Sequence, residues 1–222
     1  GYNINELAEP STFEETGYLL IHGKLPTQAE LDEFDAELMY ARQLPEKIFD
    51  VIELVKDSHP MDALRTAVSA LAGFDPDRAD NSAEATIRKG NRLTSQVPAI
   101  VMAHHNIRQG KDPVKPSTTL NHAGNFLYMM DGKEPSSQAM NLMDKDFVLH
   151  ADHGSNASAF TARVVAGTAA DIHGAVTAGI AALSGPSHGG AAENVMQMAK
   201  EIGTADRAAD YVQNLLTNRE RV

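Results

Sequence analysis

The chain has 222 residues, with 30 Asp+Glu against 19 Lys+Arg, a formal charge of −11, and no Cys. That length supports a sizeable core, and the absence of thiols excludes disulfides, zinc–thiolate sites, iron–sulfur clusters and cysteine nucleophiles. The acidic balance without a Lys/Arg run argues against nucleic-acid binding, and no apolar run approaches the ~18 residues of a membrane span.

From Glu6 to Leu20, the residues Leu7, Phe13, Leu19 and Leu20 give a helical pattern interrupted by Pro10 and ended by Gly23-Lys24-Leu25-Pro26. Thr27-Gln28-Ala29-Glu30 is a capping box, in which hydroxyl and carboxylate each satisfy an orphan helix amide. The helix it opens carries Leu31, Phe34, Leu38 and Leu44, with acids on the other face. Pro45 is expected in the first turn of the next helix, whose stripe is Ile48, Ile52 and Val55. His59-Pro60 breaks that pattern. Met61 to Leu71 follows, with Leu64, Val68 and Leu71 on one face and Gly73 closing it. Residues 74–83 read as a loop with a turn at Asp75-Pro76-Asp77. A long helix runs from Asn81 or Ser82 toward Arg108, bent near Pro98.

Residues 109–117 form a polar loop, and 118–130 a helix. After a turn at 131–135, Ser136 or Ser137 caps a helix reaching Leu149. Ala-rich helices follow at 156–168, 171–183 and 191–202, and Thr204 opens a last one toward Arg219. No period-two alternation is sustained and no 20–50-residue repeat is present, so the fold class is all-α, a multi-helix assembly rather than a solenoid.

Without Cys, histidine is the natural candidate for acid–base work. Of nine His, five stand out: His104, His105, His150, His153 and His188. His188 lies in Gly185-Pro186-Ser187-His188-Gly189-Gly190, a helix-breaking turn just before a helix. Its glycines let the backbone approach a ligand closely. The positive end of the helix dipole favours neutral imidazole, which can donate to a carbonyl becoming an enolate, as the neutral His of triosephosphate isomerase does. The simpler reading is a helix–helix turn bearing a surface His.

His150 and His153 stand i, i+3 at a helix end and can share a face, with Asp152 orienting one ring, Gly154 ending the helix and Asn156 capping the next. A polar cluster between apolar helices calls for a hydrogen-bonded network or a ligand. A structural cap network competes with a binding role. A metal site is disfavoured, because His-x-x-His with one Asp is not a zinc signature. Adjacent His104 and His105 point about 100° apart, one packed and one exposed, and His22 and His59 are helix-end residues. Met129-Met130 and Met140 with Met143 read as core filler. No Gly-x-Gly-x-x-Gly follows a strand and no phosphate-loop Lys is present.

These segments resemble the citrate synthase family. Leu149-His150-Ala151-Asp152-His153-Gly154-Ser155-Asn156-Ala157-Ser158, continuing to Phe160-Thr161-Ala162-Arg163, is similar to its central motif. Gly185-Pro186-Ser187-His188-Gly189-Gly190-Ala191-Ala192-Glu193 is similar to its catalytic turn. His59-Pro60-Met61-Asp62-Ala63-Leu64-Arg65, and Gly1-Tyr2 with Leu7-Ala8 and Phe13-Glu14-Glu15, resemble further elements, so the likeness covers essentially the whole chain. Gly154 stands where many members carry Glu.

The resemblance implies most of an all-α large domain over residues 1–222, with the small domain largely absent. It implies condensation of acetyl-CoA with oxaloacetate, with His188 polarising the thioester carbonyl and His153 binding oxaloacetate. His150, Asn156, Gly189 and Gly190 would be supporting residues. Acetyl-CoA enters as a substrate, and no cofactor and no metal are implied. A homodimer is expected, with larger homo-oligomers allowed. The family's second catalytic His, its general-base Asp and much of its CoA site are expected beyond Val222, and a chain ending there is expected to be inactive. The opening Gly1-Tyr2 in place of Met agrees with part of a longer protein. The missing leader makes a cytoplasmic location the default expectation. Propionyl-CoA as the acyl donor (2-methylcitrate synthase) and a non-catalytic helical scaffold are the alternatives.

Overall fold

The computed structural model describes residues 1–218; the expected end of the last helix at Arg219 lies outside them. The described residues form twelve α-helices and no strand: α1 (Ile4–Ala8), α2 (Phe13–His22), α3 (Gln28–Tyr40), α4 (Glu46–Leu54), α5 (Pro60–Leu71), α6 (Ala83–Ile107), α7 (His122–Asp131), α8 (Ser137–His150), α9 (Ala157–Ala166), α10 (Ile172–Leu183), α11 (Gly189–Ile202) and α12 (Ala208–Thr217). Short 3₁₀ turns lie at Ala72–Phe74 and Ala205–Arg207. The chain divides into two compact units, one over 1–181 and one beginning at Ala182.

Side-chain caps set most helix starts. Asn3, Thr12, Thr27, Ser82, Asn121, Ser136 and Asn156 each accept from an amide in the first turn that would otherwise lack a partner. Thr12 and Glu15 form a second capping box beside the expected one of Thr27 and Glu30.

Several boundaries differ from expectation. Pro45 precedes α4 as its N-cap instead of sitting inside the first turn. Gly73 does not close α5, because the chain tightens into the 3₁₀ turn. Residues 118–121 are not helical: Ser117 Oγ takes the amides of Thr119 and Leu120, and Arg42 takes the carbonyls of Ser117 and Leu120, each at 2.8 Å. The segment's backbone groups are thus satisfied outside a helix, and α7 starts only at His122. Finally, α11 begins at Gly189, two residues before the expected Ala191.

The core of the first unit joins α4, α5, α6 and α10. Ile48, Ile52, Val68 and Ile100 are fully buried, packed with Leu71, Leu93 and Ile180. Tyr18, Phe34 and Leu38 join α2 to α3, and Ala99, Met102 and Met129 join α6 to α7. Met130, expected as core filler, is exposed. Helix α6 runs unbroken through Pro98.

The loop before α6 is laced to that helix by charge. Asp75 receives Arg92 at 2.9 and 2.7 Å, and Asp77 bridges Arg92 and Arg88. Such planar two-pronged pairs are the strong form of the ion pair. They hold the Asp77 carboxyl far below its usual range. Lys89, fully buried, donates to the Asp80 carbonyl at 2.6 Å and to Asn81 Oδ1 at 2.9 Å.

Helix α9 turns apolar side chains outward. It is Ala-rich and apolar, yet none of its residues is buried, and Phe160 and Val164 are 67% and 55% exposed. Its apolar face is not part of this chain's own core.

Ala169, in the turn between α9 and α10, has φ 64° and is the one non-glycine residue in the left-handed region among those described. Its Cβ costs about 1–2 kcal/mol there, partly offset in glycine by greater freedom when unfolded. Ala169→Gly is expected to stabilise the protein by about 0.5–1 kcal/mol in urea denaturation. A loss of stability would show that the turn, not the Cβ, sets that conformation.

Candidate functional site

In the second unit, the turn between α10 and α11 is closed by backbone hydrogen bonds. The Gly185 carbonyl accepts from the His188 amide at 2.9 Å and the Gly190 amide at 3.2 Å. Ala182 O holds the Gly185 amide at 3.2 Å, and His188 O receives the Ala191 amide at 3.0 Å, beginning α11. His188 is the residue at the N-cap position, half-buried, with its peptide pinned on both sides.

Two of the glycines have a role inside the turn itself. They admit backbone to backbone: a Cβ on Gly189 would overlap the Leu183 carbonyl oxygen and come within 3.0 Å of Leu183 Cδ1. A Cβ on Gly190 would lie 3.2 Å from the Gly185 oxygen, the acceptor of the clasp. Gly189 and Gly190 therefore hold His188 in place through the fold of the turn.

In the first unit, α8 ends at His150, and residues 151–156 lead to α9. His150 and His153 consequently do not share a helical face, because the helix stops between them, at the Ala151 C-cap and not at Gly154. Nor is the segment interior: both rings are exposed. The partner that orients His150 is Asp146, one turn back on α8, whose carbonyl lies 2.8 Å and whose carboxylate lies 3.5 Å from Nδ1; Asp152 plays no such part. A carbonyl only accepts, so His150 Nδ1 carries the proton of the neutral ring.

His153 has the opposite arrangement. Its Nδ1 accepts the Ser155 amide at 3.3 Å, which leaves Nε2 as the donor of the neutral ring. Asn156 caps α9 through the Ala159 amide at 2.9 Å and accepts the Ser158 hydroxyl at 2.7 Å. A side chain at Gly154 would meet open space, so the position tolerates a Glu as readily as a glycine. The segment presents donors to solvent from a fixed backbone, an arrangement suited to an anionic ligand.

The other histidines follow their expected places. His104 is buried with Nε2 3.1 Å from the Lys56 carbonyl, His105 is half-exposed beside Gln109, and His59 caps α5 through the Met61 amide. The sequence reading missed that His122 and His173 are the deeply buried pair, at 4% and 2% exposure. His122 follows the Asn121 cap and packs against the Phe13 and Phe147 rings, and His173 follows the Asp171 cap; their helical register against the apolar residues was the available signal. No group of three or more His, Asp or Glu among the described residues is arranged to hold a metal ion, and no described helix is long and apolar enough to cross a membrane.

The structure of citrate synthase from Pyrobaculum aerophilum superposes on this chain with a TM-score of 0.91 at 39% identity, covering 97% of it and 56% of that chain. The architecture is thus that of an all-helical citrate synthase fold. The family profile "Citrate synthase, C-terminal domain" matches residues 1–222. Citrate synthase of Deinococcus radiodurans is 46% identical over 100% of this chain and 59% of its own length, and the citrate/2-methylcitrate synthase of Bacillus subtilis is 38% identical over 100% and 60%. The chain belongs to the citrate synthase family. It spans about three fifths of the length of the curated relatives it matches.

Gly189→Ala is expected to displace the Leu183 carbonyl and with it the His188 ring. Helix content by circular dichroism should hold, since the core of residues 1–181 is untouched, while any activity depending on His188 falls at least tenfold. An unchanged rate would mean that the turn does not set the His188 position.

Proposed function

We propose that the protein containing this chain condenses acetyl-CoA with oxaloacetate and water, giving citrate and CoA. The observation that carries the proposal is His188, fixed by the two-amide clasp on Gly185 at the N-terminus of α11 within Gly-Pro-Ser-His-Gly-Gly. Family membership and relatives named citrate synthase support it.

The chemistry requires removal of a proton from the thioester methyl, which is far too weakly acidic for a carboxylate in water. A hydrogen-bond donor aimed at the thioester oxygen lowers that barrier by stabilising the enolate as charge develops. In this reading His188 is that donor, and the base is the family's Asp beyond the matched segment. The enolate carbon forms a bond to the oxaloacetate ketone carbon, and the ketone oxygen takes up a proton. Water then cleaves the thioester, releasing the CoA thiol. His153 is assigned to oxaloacetate, since its Nε2–H can donate to a carboxylate or ketone oxygen. His150 and Asn156 support that segment through Asp146 and the α9 cap.

Residues 1–222 are assigned to most of the large domain. The exposed Phe160 and Val164 on α9 are assigned to contact with a second copy, giving a homodimer; this surface is of the kind that marks an interface. A second reading, propionyl-CoA as acyl donor, has the support of the relative named for both activities. A cytoplasmic setting fits the proposed reaction.

The test is thiol release by the whole protein from acetyl-CoA and from propionyl-CoA, each with oxaloacetate. Release from acetyl-CoA in preference is expected, with His188→Ala lowering turnover by about 10²–10³-fold, the scale of losing one such donor. Preference for propionyl-CoA would favour the second reading. Silence with both would leave a non-catalytic homologue. Phe160→Glu with Val164→Glu is expected to lower the mass in light scattering from dimer to monomer; a wild-type monomer at micromolar concentration would remove the dimer assignment.

A further inference from the structure

The first unit contains a polar cluster inside an aromatic core that the proposed chemistry does not use. Arg42 is 2% exposed, and its guanidinium is spent on the two carbonyls before α7, while its Nε has no hydrogen-bond partner among the described residues. Glu14 on α2 is 5% exposed and accepts the first amide of α7, from His122, at 2.7 Å. Asp144 on α8 accepts the first amide of α2, from Phe13, at 3.1 Å. Each of these carboxylates caps a neighbouring helix where the helix dipole favours negative charge.

Two members of the cluster lack such partners. Asp35 on α3 has a buried Oδ1 with no hydrogen bond among the described residues, facing Glu14, Glu15 and Arg42, with Asp32 on its own helix. The His122 ring lies 4.6 Å from that of Phe13 and 5.6 Å from that of Phe147, and its buried Nδ1 is likewise unpartnered. Arg42 is the charged side chain acting on it, and Glu14 holds its backbone amide.

We propose that Asp35 and His122, arranged about Arg42, are an opposed proton pair whose titrations pull the stability of the α2–α3–α7 packing in opposite directions through mild acid. The physical basis is burial acting on groups of opposite charge type. Burial disfavours the charged form of both, so the carboxyl takes a proton early and the imidazole takes one late. Burial, with the Glu14 charge, lifts Asp35 from 3.8 to about 6, and burial, with the Arg42 charge, pushes His122 from 6.5 down to about 4.

The signs follow from proton linkage. Between about pH 6.5 and 4 the unfolded chain takes a proton at His122 that the folded chain refuses, so this group costs stability as the pH falls. Over nearly the same window the folded chain takes a proton at Asp35 that the unfolded chain refuses, so this group adds stability as the pH falls. The two slopes oppose. Glu14 and Asp144 are both raised by burial, Asp144 with Lys145 and Glu15 nearby, and share the sign of Asp35.

The experiment is thermal melting of the whole protein at pH 7, 6 and 5, for wild type, Asp35→Asn and His122→Phe. Asp35→Asn is expected to melt above wild type at pH 7, by about 3 °C, with the advantage shrinking toward pH 5. His122→Phe, which keeps a ring in the aromatic stack, is expected to gain on wild type as the pH falls from 7 to 5, whatever its offset at pH 7. Opposite slopes establish the pair. Differences that do not vary with pH, or that vary in the same direction, overturn it. If one variant fails to fold, the slope of the other decides alone: a flat line overturns the proposal. Because the readout is melting temperature, the outcome is independent of whether the condensation reaction is correctly assigned.

Discussion

One carbonyl oxygen, that of Gly185, accepts two amide hydrogens, and the position of His188 depends on it. The clasp uses no side chain. It needs the chain to reverse within six residues and to bring the start of α11 against the end of α10, and only glycine at 189 permits the approach to Leu183. A catalytic donor must be placed within fractions of an ångström of a developing charge. A backbone turn closed by its own hydrogen bonds supplies that precision at low conformational cost, because little is left to order when substrate binds.

The first unit solves the opposite problem, holding an exposed segment on a buried scaffold. Helix α8 carries His150 at its last position and anchors at Asp144, where a buried carboxylate caps α2. Glu14 then links α2 to α7, and Arg42 ties down the loop before α7. These bonds join elements more than 70 residues apart in sequence. Breaking one strands a buried charge, which costs more than the bond contributes when made. The exposed His153 and Asn156 are therefore presented by a rigid base.

Much of this was legible in the sequence, and the reasons differ by residue. Helix starts at Thr27, Ser82, Ser136 and Asn156 were readable because capping is a local interaction between residues two or three apart. The start of α7 was not, since Arg42 satisfies carbonyls 75 and 78 residues away and local propensity cannot register that. The His188 turn was visible from its glycines and proline; the close approach of Gly189 to the Leu183 backbone was not, because it depends on how the chain reverses after α10. The composition of α9 did not say whether its apolar face packs within the chain or against a second copy. Its exposure shows that apolar composition specifies burial without specifying against what.

The central claim is that His188 donates a hydrogen bond to the thioester oxygen. Proton NMR of the whole protein, with ¹⁵N-labelled histidine, reads that bond directly upon addition of oxaloacetate and a non-hydrolysable acetyl-CoA analogue. The expected result is a new, slowly exchanging imidazole N–H resonance in the ternary complex that is absent from His188→Ala. Analogue binding with no change at the His188 ring would contradict the account.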